Sequence, residues 1–352
     1  MSYYWPGLFI PSLPERILID NPDNELILKR QKILNDFCNK ISKFKYIMKS
    51  NELNIFLNEN KNNNNNNNNE IIISQLNYNE IYSRYINNFG KIENLKEDIN
   101  DNNKIEESII LVKNNISNLN EFYNDVSTCM KEKENEIKGI IDILNIFSDY
   151  EKNILIQYSK NDMTKLIFMN PDNEEISTRI NNINNFLINP FKELLLWIEN
   201  DILDFKSMLN ALEKFKDLNS LFRQTTSKIN EINKKIEEIN NNNNNQNNYL
   251  NVLMSCSSND NKMKYLIKDK EINEKKRSDL LGIINIIDFV NEEYIKEFKN
   301  EKIRNYNEQF EIFVNEEKKN RDIINNIWNC ISDATTNIKN QNKENKEQSV
   351  SP

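Results

Sequence analysis

The chain has 352 residues, enough for two or three domains, with a formal net charge of −8 and no histidine. Four glycines and seven prolines are too few for the turns of a β-rich or α/β protein, and 38% apolar beside 28% charged residues suits helices with narrow apolar faces. The missing histidines remove the commonest general base and metal ligand, and no glycine-rich phosphate loop occurs, so no enzyme, cofactor or metal is expected.

In chain order, the first feature is Trp5-Pro-Gly-Leu-Phe-Ile-Pro-Ser-Leu-Pro-Glu-Arg16. A Pro-Gly pair, an apolar trio and Pro11-x-x-Pro14 fit neither helix nor strand. Proline fixes φ and favours extended backbone, which predicts a stiff, solvent-facing loop. Asn21-Pro22 then caps and opens a helix, proline costing nothing at the first helical position. That helix runs from Glu25 to Ile41, with Leu26, Lys29/Arg30, Ile33/Leu34, Phe37 and Ile41 on one face. A closing helix covers Ser50 to Leu57.

Low-complexity runs follow. Asn62–Asn69 and Asn240–Asn245 have no apolar surface to bury and predict flexible insertions. The polar stretch from Thr335 to Pro352 reads as a disordered tail. Between them, Tyr78–Phe89 reads either as an amphipathic membrane-wedge helix or as the start of the first bundle helix.

Three long helical segments remain. In the first, apolar residues recur at alternating steps of four and three from Ile105 to Tyr158, broken only by Lys133 and Glu151. The second runs from Phe186 through Phe222 to Ile239, with Pro190 predicting a kink near its start. The third runs from Ile272 through Leu280, Ile283/Ile284, Ile287 and Phe298 to Ile331. Stripes this long and narrow predict an elongated bundle.

Charge is uneven along these segments. Between Lys262 and Arg277 stand seven basic residues (Lys262, Lys264, Lys268, Lys270, Lys275, Lys276, Arg277) and three acidic ones (Asp269, Glu271, Glu274), a net of +4. This window suits contact with an anionic membrane, or is the solvated start of a helix. Lys318, Lys319 and Arg321 form a second basic group that faces lipid or water. Cys38, Cys129, Cys256 and Cys330 lie far apart and read as free thiols in a reducing cytosol. No signal peptide opens the chain and no run of eighteen apolar residues occurs, so membrane contact is expected to be peripheral.

The proline loop, the long helix with its basic pair and the closing helix, over Tyr4 to Leu57, resemble the second half of a PX domain, the phosphoinositide-reading module of sorting nexins. By that resemblance Arg16 stands where a basic residue contacts phosphate. Arg30, with Lys29 beside it, stands where the helix arginine contacts the inositol head group. The family's sheet, with its arginine-aromatic pair, has no counterpart before the proline loop, which reads as truncation or, as the alternative, a degenerate PX domain. Two guanidiniums still clamp a phosphate bidentately, but without the sheet their spacing is not enforced.

Two further stretches extend the likeness. Asn189-Pro-Phe-Lys-Glu-Leu-Leu-Leu-Trp-Ile198 is similar to a Pro-Leu-x-Glu-Tyr stretch in helix two of the BAR domain of PX-BAR sorting nexins. Phe298-x-x-Glu-Lys-x-x-x-Tyr306-x-x-Gln309, with Lys318-Lys319 and Trp328 beyond, resembles the close of helix three. The resemblance implies an all-α chain: a truncated PX domain (1–58), an Asn-rich linker (59–77), a three-helix BAR-like coiled-coil bundle (78–334, with an Asn-rich insertion at 240–248) and a tail (335–352).

It implies a cytoplasmic protein, peripheral on endosomal membranes, that binds phosphoinositide and anionic lipid, scaffolds curvature and serves endosomal protein sorting. Its expected partners are membranes bearing phosphatidylinositol 3-phosphate and either a second copy or another sorting nexin; nucleic acid is not among them. A structural coiled-coil adaptor without lipid specificity is the alternative.

Overall fold

The computed structural model describes residues 3–14, 24–58, 76–93, 95, 102–158, 163–244 and 252–348. The protein is all-α, with no strand among the described residues. Its helices are α1 (Asn24–Lys43), α2 (Lys45–Met48), α3 (Asn51–Asn58), α4 (Tyr78–Phe89), α5 (Asn102–Tyr150), α6 (Ile156–Tyr158), α7 (Glu174–Phe186), α8 (Phe191–Asn244) and α9 (Val252–Gln348). The chain divides into two compact units, one of residues 1–118 and 200–300, the other of 119–199 and 301–352.

In the first unit α8 runs antiparallel to both α5 and α9. Lys113 pairs with Glu213 at 3.2 Å and Lys216 with Glu106 at 2.8 Å, while Lys228 pairs with Asp269 at 3.1 Å. Ile105, Ile109, Phe215, Leu218, Phe222, Leu280 and Ile284 fill the space between these helices. The same core reaches Tyr4. Trp5, Leu8, Tyr46, Ile47, Ile81 and Tyr85 belong to it, so the PX-like segment and α4 are packed against the long helices.

The segment expected to face solvent is therefore buried from Tyr4 to Phe9, with Pro11 buried as well. The reason lies in its turn. Leu8 N–H donates to the Trp5 carbonyl at 3.3 Å across Pro6-Gly7, and Gly7 has φ +87°, the proline-then-glycine form of a type II turn. A Cβ on Gly7 would stand 2.8 Å from Ile287 Cδ1, so only glycine brings this backbone onto α9. The turn aims Trp5 at Tyr46 and Tyr85, ring centroids 5.3 and 5.5 Å away. It aims Phe9 at Tyr294, stacked at 4.6 Å. Proline rigidity presents these aromatics; it does not keep them in water.

Helix α4 is a core helix, neither a membrane wedge nor the start of α5. Asn77 and Glu80 close a capping box, each side chain accepting the other's backbone N–H at 2.9 Å. At the far end Gly90 takes φ +82° and its N–H donates to the Ile86 carbonyl at 2.8 Å.

In the second unit, Leu144, Phe168, Ile176, Ile180, Ile183, Ile327 and Ala334 form the core. Pro190 does not kink a continuous helix. Helix α7 stops at Phe186 and α8 starts at Phe191, because the ring denies α8 a preceding turn. Asn320, 2% exposed, ties this break down. It accepts the Ile188 N–H at 3.0 Å and donates to the Ile188 carbonyl at 2.7 Å. Two low-complexity stretches are helical where coil was expected. Helix α8 continues into the second Asn run as far as Asn244, and α9 continues past Thr335 to Gln348. Propagating an existing long helix by a few poor formers costs little once nucleation is complete.

Candidate lipid-contact site

Helix α1 carries the PX-like basic pair on its first turns, with Lys29 and Arg30 both half-buried. Its later turns lie along α8. Lys40 Nζ donates to Asp204 Oδ1 at 2.6 Å and Asn200 Nδ2 to Asp36 Oδ2 at 2.8 Å, while Ser12 and Ser207 hydroxyls meet at 2.7 Å. Arg16 and the helix-opening Asn21-Pro22 lie outside the described residues.

The basic window lies on α9, and its seven charges have different fates. Arg277 Nε donates to Thr226 Oγ1 at 3.2 Å with its guanidinium 5.3 Å from the Phe222 ring centroid, and Lys276 sits 5.3 Å over the Tyr78 ring. Both are engaged in packing by cation–π contact. Lys270 is half-buried and pairs with Glu274 at 3.7 Å. Lys262, Lys264, Lys268 and Lys275 are exposed. Beside them, burial raises the Asp279 carboxyl above its usual range while Lys275 pulls it down.

The structure does not bring the two basic groups together. Along α8, the α1 contacts fall at Asn200 to Asp204 and the α9 contact at Thr226, 22 residues past Asp204. That separation is about 33 Å at 1.5 Å per residue. The other basic group is simpler: Lys319 pairs with Glu316 at 2.7 Å, and Lys318 and Arg321 are exposed.

Sequence reasoning passed over two residues because they interrupt an apolar stripe. Glu151, 7% exposed, sits in a π-helical turn, Glu151–Leu155. Its carboxylate accepts the N–H groups of Ile167 at 2.9 Å, Phe168 at 2.7 Å and Met169 at 3.1 Å. Lys133 reaches Glu317 at 3.1 Å and Glu136 at 3.2 Å. Burial lowers its ammonium pKa, but the hydrogen bonds to those two carboxylates outweigh it and the net shift is upward. A charged residue alone in an otherwise apolar register was the available signal for both. Their roles are structural.

The described residues hold no cluster of His, Cys, Asp or Glu arranged for a metal, and no described helix is long and apolar enough to cross a membrane. The fold is thus that of an all-α protein whose exposed basic groups lie on helix surfaces. The PX domain family model matches residues 1–60. PX domains are phosphoinositide-binding, membrane-associating modules and not enzymes, and the long helices that follow are compatible with a BAR-like region. No curated protein matches the chain.

Proposed function

We propose that the protein is a peripheral membrane protein of the sorting-nexin type, binding phosphoinositide and anionic lipid and scaffolding curvature in endosomal protein sorting. The observation that carries this reading is the PX match over residues 1–60 joined to helices of 49, 54 and 97 residues. In this reading Arg16, Lys29 and Arg30 meet the inositol phosphate. Exposed lysines of the 262–277 window meet the bilayer, each basic residue near the surface contributing about 1 kcal/mol. Phosphatidylinositol 3-phosphate is the expected head group, and the two weak contacts add as avidity.

Self-association, with a second copy or another sorting nexin, belongs to the same reading. It is supported by the exposed apolar row Ile143, Ile146, Phe147 and Tyr150 on α5 in the second unit.

A second reading, a structural adaptor without lipid specificity, has its own support. Trp5, Leu8 and Phe9 are buried, so the PX-like segment also serves as a packing element for the long helices. Calorimetric titration with a short-chain, water-soluble phosphatidylinositol 3-phosphate separates the two. Saturable heat that R16Q and R30Q each abolish supports head-group recognition. No heat from the parent chain leaves the adaptor reading ahead for residues 1–60.

A further inference from the structure

On α9 the exposed lysines do not stand alone. Lys264, Lys268 and Lys275 fall within about 40° of one another around the helix at 3.6 residues per turn. Beside them runs a row made by Tyr265, 71% exposed, and Ile272, 58% exposed; Ile267, 44% exposed, lies on the other flank. Ile272 was expected to open the buried stripe, but that place is taken by Leu266, Asn273 and Leu280. The apolar side chains are left facing water on either side of the ammonium groups.

The nearby acids are mostly committed elsewhere. Asp269 holds Lys228 at 3.1 Å and Glu274 holds Lys270. Asp279 is buried next to Lys275, and only Glu271 shares the lysine row as an exposed carboxylate. The face is therefore net positive with an aromatic and two aliphatic residues at its margins.

Resting on the membrane reading above, we infer that this face inserts Tyr265 and Ile272 below the head groups of an anionic bilayer while Lys264, Lys268 and Lys275 hold lipid phosphates. Charge complementarity selects the partner: lysine stems lie along apolar surface with their ammonium groups at phosphate level, and a tyrosine ring suits the boundary between hydrocarbon and head group. A protein groove would satisfy the apolar pair but not the lysine row beside it. A nucleic acid would satisfy the lysines without drawing the apolar pair out of water.

The test uses the full chain and vesicles of phosphatidylserine and phosphatidylcholine at about 0.1 M and about 0.5 M salt. The higher salt screens the phosphate contacts and leaves the apolar ones. K264Q/K268Q/K275Q is expected to lower low-salt partitioning several-fold and to flatten the salt dependence. Y265S/I272S, at exposed positions and with an unchanged melting temperature, is expected to lower high-salt partitioning by roughly tenfold. If the parent chain binds and Y265S/I272S binds equally at both salts, insertion is overturned while the membrane reading stands. A parent chain that leaves all vesicles unbound overturns both, and retardation of a single-stranded RNA probe in that case would assign the lysines to a phosphate backbone.

Discussion

Three side chains explain why residues 4–9 belong to the helical core. Trp5 fills the gap between Tyr46, Tyr85 and Phe89, while the Tyr85 hydroxyl donates to the Pro6 carbonyl at 2.6 Å and the Tyr46 hydroxyl to the Phe9 carbonyl. Trp5→Ala is expected to cost about 3–5 kcal/mol, and Tyr85→Phe, which orphans a buried carbonyl, about 1–3 kcal/mol, both read by denaturant titration.

The same tyrosines set an alkaline limit. Burial raises both phenol pKa values above the usual 10, Tyr85 further through its neighbour Tyr46. The unfolded chain gives up these protons near pH 10 while the folded chain keeps them. Above that pH the unfolded state binds fewer protons, so stability is complete below about pH 10 and falls as pH rises. The double variant Y46F/Y85F should flatten that fall; an unchanged slope would place the titration elsewhere.

At the scale of elements, a buried carboxylate organises the end of α5. Replacing Glu151 by alanine leaves three backbone N–H groups without their acceptor, at an expected cost above about 2 kcal/mol. Hydrogen exchange at the amides of residues 167–169 should accelerate first, with α4 in the first unit unaffected. Uniform loss of protection through both units would mean that Glu151 supports the whole fold.

Glu151 also shows how far the sequence could be read. Helix existence was legible, because long apolar periodicity admits no other element; extent was not, since α7 ends before Pro190 and α8 and α9 run on to Asn244 and Gln348. Register was not. Steps of four and three from Ile105 put Leu144 on the buried side, as it is, but also Phe147, Ile154 and Tyr158, which are exposed, while Glu151 is buried. An apolar pattern cannot reveal that a carboxylate lies inside, since the groups that satisfy it lie 16 to 18 residues onward. The burial of Tyr4–Phe9 was hidden for a similar reason. Its partners Tyr85, Ile287 and Tyr294 are distant in sequence, and local proline chemistry spoke only for stiffness. Of the candidate site, the basic window could be found by counting charge. The withdrawal of Lys276 and Arg277 onto Tyr78 and Phe222 could not.

For the molecule as a whole, the exposed apolar row on α5 should be covered by a second chain. Sedimentation velocity at micromolar concentration should give twice the 41.9 kDa mass of one chain. I146S/F147S should shift it toward monomer without changing helix content, and a monomeric parent chain would remove self-association from the account.

Adhesion of this chain to anionic membranes can be read from co-sedimentation with phosphatidylserine vesicles, with and without phosphatidylinositol 3-phosphate. The chain should pellet with the vesicles at low ionic strength and be progressively released as salt rises. A chain that stays in the supernatant with both vesicle types at low salt would contradict that adhesion.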